Sequence, residues 1–226
     1  MQFTHPDIVV TKDGSHTLVN TDNQQLYHSH GGAIQESKHV FIKHNLQNWL
    51  DNPPEGSINV LELGFGSGLN AYLTRLEAEK HNVDVNYHSV ELYPVHPDVA
   101  ARLNYPVELN DSDTNRFLEI HTCKWNCQER LSDNFSINKV YGDFLEQDFP
   151  TDHYHSFYYH AFAVKAQPEL WSNQVIDRMY HALRPGGILT TFSATGQLGR
   201  SLRARGYRHE KPSGVGGKRE ITRAIK

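Results

Sequence analysis

Residues 62–70 read Glu62-Leu63-Gly64-Phe65-Gly66-Ser67-Gly68-Leu69-Asn70. The stretch follows a short apolar run, Ile58 to Leu63, and precedes a helical pattern that begins near Leu69. Strand, glycine turn and helix in that order make a cradle for a nucleotide-type ligand. Glycine lets the backbone turn sharply and approach a ligand where a Cβ would clash. The spacing is G-x-G-x-G, not the G-x-G-x-x-G of a dinucleotide loop. An acidic residue, Glu62, stands two positions before the first glycine. A turn that merely joins a strand to a helix is the alternative reading.

Downstream, a βα pattern repeats. Leu69 to Lys80 reads as a helix and Val83 to Leu92 as a second strand. Glu91, near the end of that strand, can accept both ribose hydroxyls of an adenosine cofactor; its other reading is an exposed strand-end carboxylate. Pro97 to Leu103 and Ser112 to His121 read as short helices, and Phe135 to Val140 as the third strand. Asp143 follows, placed either to accept from an adenine amino group or to cap the next turn. His155 to Phe162 is the fourth, central strand, and Pro168 to Leu183 a helix. Arg184-Pro185-Gly186-Gly187 is a stop and turn before a fifth strand, Ile188 to Phe192. Gly196 to Arg205 reads as a helix, and Tyr207 to Lys211 pairs with Arg219 to Ala224 as a closing hairpin.

Upstream, Ile8 to Tyr27 reads as a β-ribbon turning at Asp13-Gly14. A helix from Ala33 to Asp51 follows, with Ile34, Val40, Phe41, Leu46, Trp49 and Leu50 as its apolar set. Asn52-Pro53-Pro54-Glu55-Gly56 ends it. The expected fold is α/β: a Rossmann-like, doubly wound, mostly parallel sheet with a C-terminal antiparallel hairpin, plus a small N-terminal β-ribbon and helix. Residues 1–56 form an extension packed on the core and 57–226 the ligand-binding domain. The ligand is expected outside the carboxyl ends of the strands, the edge shared by Gly64, Glu91, Asp143 and residue 160.

The chain has 226 residues, 38% hydrophobic, with a mean hydropathy of −0.62. No run approaches the roughly 18 apolar residues of a membrane span, and the N-terminus lacks the basic and apolar regions of a secretion signal. A cytoplasmic protein is expected. Cys123 and Cys127 lack a second pair for a structural zinc site and read as reduced thiols. The 15 histidines are scattered, and no metal site is expected. Net charge is −4, but residues 195–226 carry nine basic residues against Glu210 and Glu220. Such asymmetry is either a footprint for phosphates or a solvated helix and edge strand.

The acidic residue before a G-x-G-x-G loop is typical of Rossmann-like methyltransferases that use S-adenosylmethionine (SAM). SAM has no pyrophosphate, so its site needs a close backbone and a carboxylate for the cationic ligand. Longer segments are more specific. Asp13-Gly14-Ser15, Tyr27-His28-Ser29, Gly32 to Phe41, Glu62 to Asn70, Ala161-Phe162-Ala163, Gln167 to Trp171, Arg184 to Gly187 and Gly217-Lys218-Arg219-Glu220 resemble the bacterial tRNA 5-aminomethyl-2-thiouridine methyltransferases. That family occurs fused to a flavin oxidase (MnmC) and as a stand-alone form (MnmD), which this chain resembles. The resemblance implies transfer of a methyl from SAM to the aminomethyl nitrogen of 5-aminomethyl-(2-thio)uridine at the tRNA wobble position. It implies SAM contacts by Glu62, Gly64, Gly66, Gly68, Asn70, Glu91 and Asp143. The partners it implies are the tRNA anticodon loop and a separate flavin-dependent oxidase or another tRNA-modifying enzyme. The target base must leave the anticodon stack, so an aromatic platform is expected. Tyr27, Phe65, Phe162 and Trp171 are candidates for it, core packing being the other reading of each. Glu36, Lys218 and Arg219 complete the candidate substrate contacts.

The chain departs from that family at one point of consequence. The fourth strand there ends in Asp-Ala-Phe-Ala/Ser-Pro; here it reads His160-Ala161-Phe162-Ala163-Val164. Prolines usual before Gly-Lys-Arg-Glu are also missing, and Gly199 stands where a basic residue is common. The resemblance makes residue 160 the group that orients the amine or accepts its proton, so His160 is the catalytic candidate. A neutral imidazole accepts a proton near pH 7 but supplies no negative charge for an ammonium. Three outcomes follow: His160 serves as a different base, the substrate is another amine, or the chain binds SAM and tRNA with little transfer. If the missing acid is the whole defect, His160→Asp raises turnover.

Overall fold

The computed structural model describes all 226 residues. Its strands are β1 (Asp7–Val10), β2 (His16–Val19), β3 (Ile58–Leu63), β4 (Val85–Glu91), β5 (Gln128–Ser132), β6 (Phe135–Tyr141), β7 (Tyr154–Tyr159), β8 (Leu183–Thr191), β9 (Arg208–Glu210) and β10 (Thr222–Ile225). β1 and β2 pair as the expected ribbon. The other eight form one sheet in the order β5-β6-β4-β3-β7-β8-β10-β9. β6, β4, β3, β7 and β8 run parallel, β5 and β10 run against them, and β9 pairs antiparallel with β10. The α/β class, the mostly parallel sheet and the C-terminal hairpin are thus as expected.

The central strands are buried on both faces, which explains their near-continuous apolar character. Alternation along β7 divides the core. Tyr158 faces the layer of Phe41, Tyr72 and Tyr87, covered by residues 33–51 and helix Leu69–His81. Phe157 and Tyr159 face the opposite layer with Met179 and Leu202, from helices Asn173–Ala182 and Gly196–Arg205.

Four expectations are corrected. The edge strand β5 was not anticipated, because Gln128-Glu129-Arg130-Leu131-Ser132 is polar and lacks alternation; it pairs with β6 through a register shift between Arg130 and Ser132. β7 stops at Tyr159, so His160 lies beyond the strand. The helix expected over 168–183 splits: Pro168–Trp171 is a 3-10 turn, and Ser172 caps helix Asn173–Ala182 by accepting from the Val175 N–H. The supposed turn at 184–187 is the bulged start of β8, pinned where Gly186 N–H donates to Lys226 O at 2.9 Å.

Residues 33–51 form one helix, but Lys38–Leu46 is wound as a π-helix between α-helical Ala33–Ser37 and Gln47–Asp51. Burial follows that wider turn: Val40 pairs with Asn45, and Phe41 with Leu46, at i,i+5. The winding aims Asn45 into the sheet. Its Nδ2 lies 3.1–3.3 Å from Phe157 O, Ile188 O and Thr190 Oγ1, hooking the helix across β7 and β8. We expect Asn45→Ala to destabilise the fold by about 1–3 kcal/mol, at roughly 2–4 °C of melting temperature per kcal/mol for a chain of this size. Thermal denaturation checks this; an unchanged melting point would show that the hook contributes nothing.

The N-terminal residues cross the carboxyl edge of the sheet. Thr4 bridges Val95, its N–H donating to Pro94 O at 2.8 Å. The loop at Gly31 packs so closely on the C-terminal loop that a Cβ there would lie 2.4 Å from Gly216 O.

Candidate active site

The glycine loop leaves β3 at Gly64. A Cβ on Gly64 would lie 2.2 Å from His160 O, and its φ is +89°. At Gly66, φ +54°, a Cβ would lie 3.0 Å from the Tyr27 ring. Both glycines are demanded by the chain's own packing as well as by any ligand. Gly68 is the N-cap of helix Leu69–His81 and is backed by His121.

A cavity of about 350 Å³ opens beside this loop, lined by Gly64, Gly66, Glu91 and Asp143 among others. Glu91 Oε2 accepts from the Gly66 N–H at 2.9 Å and Oε1 from the Tyr93 N–H at 2.8 Å. Burial raises the Glu91 carboxyl above its usual range, against the pull of these backbone donors. Asp143 Oδ1 accepts from the Leu145 N–H at 2.8 Å, so Asp143 caps the turn and lines the cavity at once.

Glu62 and Asn70 line neither this cavity nor the second one described below. Both are buried beneath the loop. Asn70 Nδ2 donates to Glu62 Oε1 at 2.9 Å and Ser89 Oγ donates to Glu62 Oε2 at 2.8 Å. Burial pushes the Glu62 carboxyl up to about 8, although Asn70 and Ser89 favour the charged form. The bracket holds the loop from below.

A second cavity of about 330 Å³ lies on the far side of Tyr27, which lines both. Tyr27 meets Phe162 edge-on, ring centres 5.0 Å apart. Glu36, Lys218 and Phe192 face this second cavity. Arg219 and Trp171 line neither. Trp171 stacks on Tyr159 at 4.4 Å, and its Nε1 donates to Phe162 O at 2.8 Å, pinning the loop that carries Phe162. Phe65 is buried against His121 and Trp125.

His160 is packed tightly, its ring stacked on His28 at 4.6 Å. Nε2 lies 3.1 Å from Tyr27 O and Nδ1 3.3 Å from Gly64 O. Both partners are carbonyl oxygens, which only accept. A neutral imidazole donates to only one of them, leaving the other nitrogen without a donor, and His160 lines the first cavity. Burial lowers the imidazole below its ordinary value; the Gly64 and Tyr27 carbonyls and the Glu36 charge oppose this. His160 therefore joins the N-terminal extension, the glycine loop and the end of β7.

The basic tail is largely neutralised. Arg205 pairs with Asp177, Arg208 and Arg223 with Glu210, Lys211 with Glu220, Lys218 with Glu36 and Lys226 with Asp152. Charge counting along the sequence included Glu210 and Glu220 but missed Glu36, Asp152 and Asp177, which lie far away in the chain. Sequence reading also missed Thr4, Asn20, Asp22 and Asn23, which roof the first cavity, and Phe192 in the second. Asn20 to Asn23 fall inside the stretch expected as β-ribbon, and no motif there marks their place on the cavity.

Residues 118–226 match the model of a family described as S-adenosyl-L-methionine-dependent methyltransferases. The chain is 27% identical over 209 residues to the tRNA 5-methylaminomethyl-2-thiouridine biosynthesis bifunctional protein MnmC of Chromobacterium violaceum, covering 87% of this chain and 31% of the relative. It is 28% identical to the protein of that name from Pseudoalteromonas atlantica, covering 100% and 34%. Over its C-terminal half the chain is thus similar to SAM-dependent methyltransferases, and over most of its length to one part of MnmC. It spans about a third of the length of these relatives. The crystal structure of MNMC2 from Aquifex aeolicus shares the fold, with a TM-score of 0.73 at 22% identity, covering 98% of this chain and 70% of that one. No helix is long and apolar enough to cross a membrane.

The first cavity suits SAM. At Gly64 and Gly66 the backbone itself forms the wall, and two carboxylates, Glu91 at the end of β4 and Asp143 just beyond β6, line the cavity.

The Glu62 carboxyl makes the stability of this protein pH-dependent. Its folded value, about 8, lies above the reference 4.5. The unfolded chain thus loses this proton first, and stability falls as pH rises from 4.5 toward 8. We expect Glu62→Gln to abolish that cost, on the order of 4 kcal/mol at pH 8. Its melting point should exceed the parent's by a margin that grows between pH 5 and 8; a constant margin would contradict a protonated Glu62. His160→Asp sets a carboxylate against two carbonyl oxygens. It should destabilise the fold by about 3 kcal/mol and leave turnover no higher. A stable, faster variant would refute the clamp.

Proposed function

We propose that the chain methylates the aminomethyl nitrogen of 5-aminomethyl-(2-thio)uridine at the tRNA wobble position. The second cavity carries this reading. It adjoins the cofactor cavity through Tyr27, sits at the small end of ligand-pocket sizes, and presents aromatic faces and a buried carboxylate. Those are the groups an extruded base with a cationic arm requires. The names of the MnmC relatives point to the same modification.

Bound SAM supplies an electrophilic methyl on its sulfonium sulfur. Gly64 and Gly66 would hold the methionine portion by close backbone approach, Glu91 the ribose hydroxyls and Asp143 the adenine amine. Tyr27 stands between the two cavities, with Phe162 edge-on to it in the wall of the first, and the pair would orient what meets there. His160 keeps the Gly64 and Tyr27 carbonyls in register and so positions both walls.

A methyltransferase for another amine is the second reading, favoured by the pairing of most tail cations. Labelled SAM with tRNA carrying 5-aminomethyl-2-thiouridine, with unmodified tRNA and with small amines separates the two. Label in the aminomethyl tRNA alone is expected; label in small amines but in no tRNA would overturn the wobble-uridine reading. For the cofactor site, Glu91→Ala should weaken SAM binding about 10–100-fold, from loss of hydrogen bonds to a charged group. Calorimetry showing unchanged affinity would remove Glu91 from the cofactor site.

A further inference from the structure

An amine substrate needs a carboxylate, and His160 stands where one is expected, its ring nitrogens turned to backbone carbonyls. The second cavity holds a carboxylate from another element. Glu36 is 3% exposed and is the only acidic residue on that cavity's wall. Its Oε2 accepts from the Ser29 N–H at 2.9 Å, and Lys218 Nζ donates to its Oε1 at 2.6 Å. A buried carboxylate facing a cavity is costly unless a cation neutralises it. Lys218 does so, its Nζ also sitting 3.9 Å from the centre of the Phe192 ring. Carboxylate on one side and aromatic face on the other form a seat for one primary ammonium. Lys218 reaches that seat from a surface loop on a flexible stem, with its side chain about one-third exposed. A primary ammonium on a substrate has the same charge and donors as the lysine head.

We propose that Glu36 receives the ammonium of the acceptor amine, and that Lys218 holds this seat in the free enzyme and is displaced from it. The carboxylate expected at the end of β7 is thereby supplied from the opposite wall, by the helix of the N-terminal extension. The inference rests on the reading of the chain as an amine methyltransferase. It explains how the site accommodates histidine at position 160 without losing recognition of a cation.

Binding separates this role from a structural ion pair. Wild type, Glu36→Gln and Lys218→Met are titrated, with S-adenosylhomocysteine present, against tRNA carrying 5-aminomethyl-2-thiouridine and the same tRNA with unmodified uridine. Fluorescence anisotropy gives both affinities at fixed salt. Wild type should prefer the aminomethyl tRNA by about 10-fold or more. Glu36→Gln should reduce that ratio to near one, while Lys218→Met keeps or enlarges it even as both tRNAs bind more weakly. A ratio that survives in Glu36→Gln, or that falls equally in both variants, overturns the proposal. Should Glu36→Gln fail to fold, a ratio that collapses in Lys218→Met overturns it alone. Methyl transfer by the wild type to the aminomethyl tRNA keeps the two readings apart. Transfer with an unchanged Glu36→Gln ratio sinks only the role of Glu36. Absence of both transfer and preference sinks the function, and this role with it.

Discussion

Three segments distant in the chain meet at residue 160. The glycine loop passes so near the end of β7 that no side chain fits at Gly64, where a Cβ would lie 2.2 Å from His160 O. The His160 ring then reaches the carbonyls of Gly64 and Tyr27. Tyr27 comes from the N-terminal extension and forms the wall between the two cavities. Loss of this contact would loosen the Tyr27 wall, while Thr4 and Asn45 still tie the N-terminal residues to the sheet. An aspartate here would face carbonyl oxygens, which repel it. The substitution that suggests a lost catalytic group is therefore consistent with a different way of closing the same site.

Charge in this protein is handled by burial and pairing. Glu62 lies under the glycine loop and is held uncharged near neutrality by burial, while Glu91 stays at the cavity wall with two backbone donors. Two carboxylates on the successive strands β3 and β4 thus serve opposite ends, one bracing the loop and one facing the cavity. The C-terminal excess of positive charge is met by Asp152, Asp177, Glu36, Glu210 and Glu220. Arg200 and Arg203, on helix Gly196–Arg205, have no acidic partner.

The sequence carried the candidate site unevenly. Gly64, Gly66, Glu91 and Asp143 were legible because each follows a parallel strand, and such strands deliver their ends to one edge. Glu62 was legible as an acid but not by direction: one residue along a strand turns a side chain to the other face, and Glu62 points below the loop. Trp171 was legible as an aromatic near the site, yet its ring is spent on Tyr159 and its N–H on Phe162 O. Thr4 and Asn20 to Asn23 carry no motif, and only the crossing of the N-terminal segment over the sheet edge brings them to the cavity.

The sequence by itself determined the order of strands and helices, the glycine loop and the hairpin, because hydrophobic period and turn residues act over short range. It could not supply β5, whose polar residues are held by β6 alone, nor the π-wound segment that aims Asn45 into the sheet. Which acid faces which cavity was decided only in three dimensions. Glu36 and Lys218 lie 182 residues apart, and their contact at 2.6 Å exists because the sheet closes its C-terminal loop onto the N-terminal extension. Local propensity sets which elements form, whereas long-range packing sets which side chains share a cavity and which charge is neutralised there.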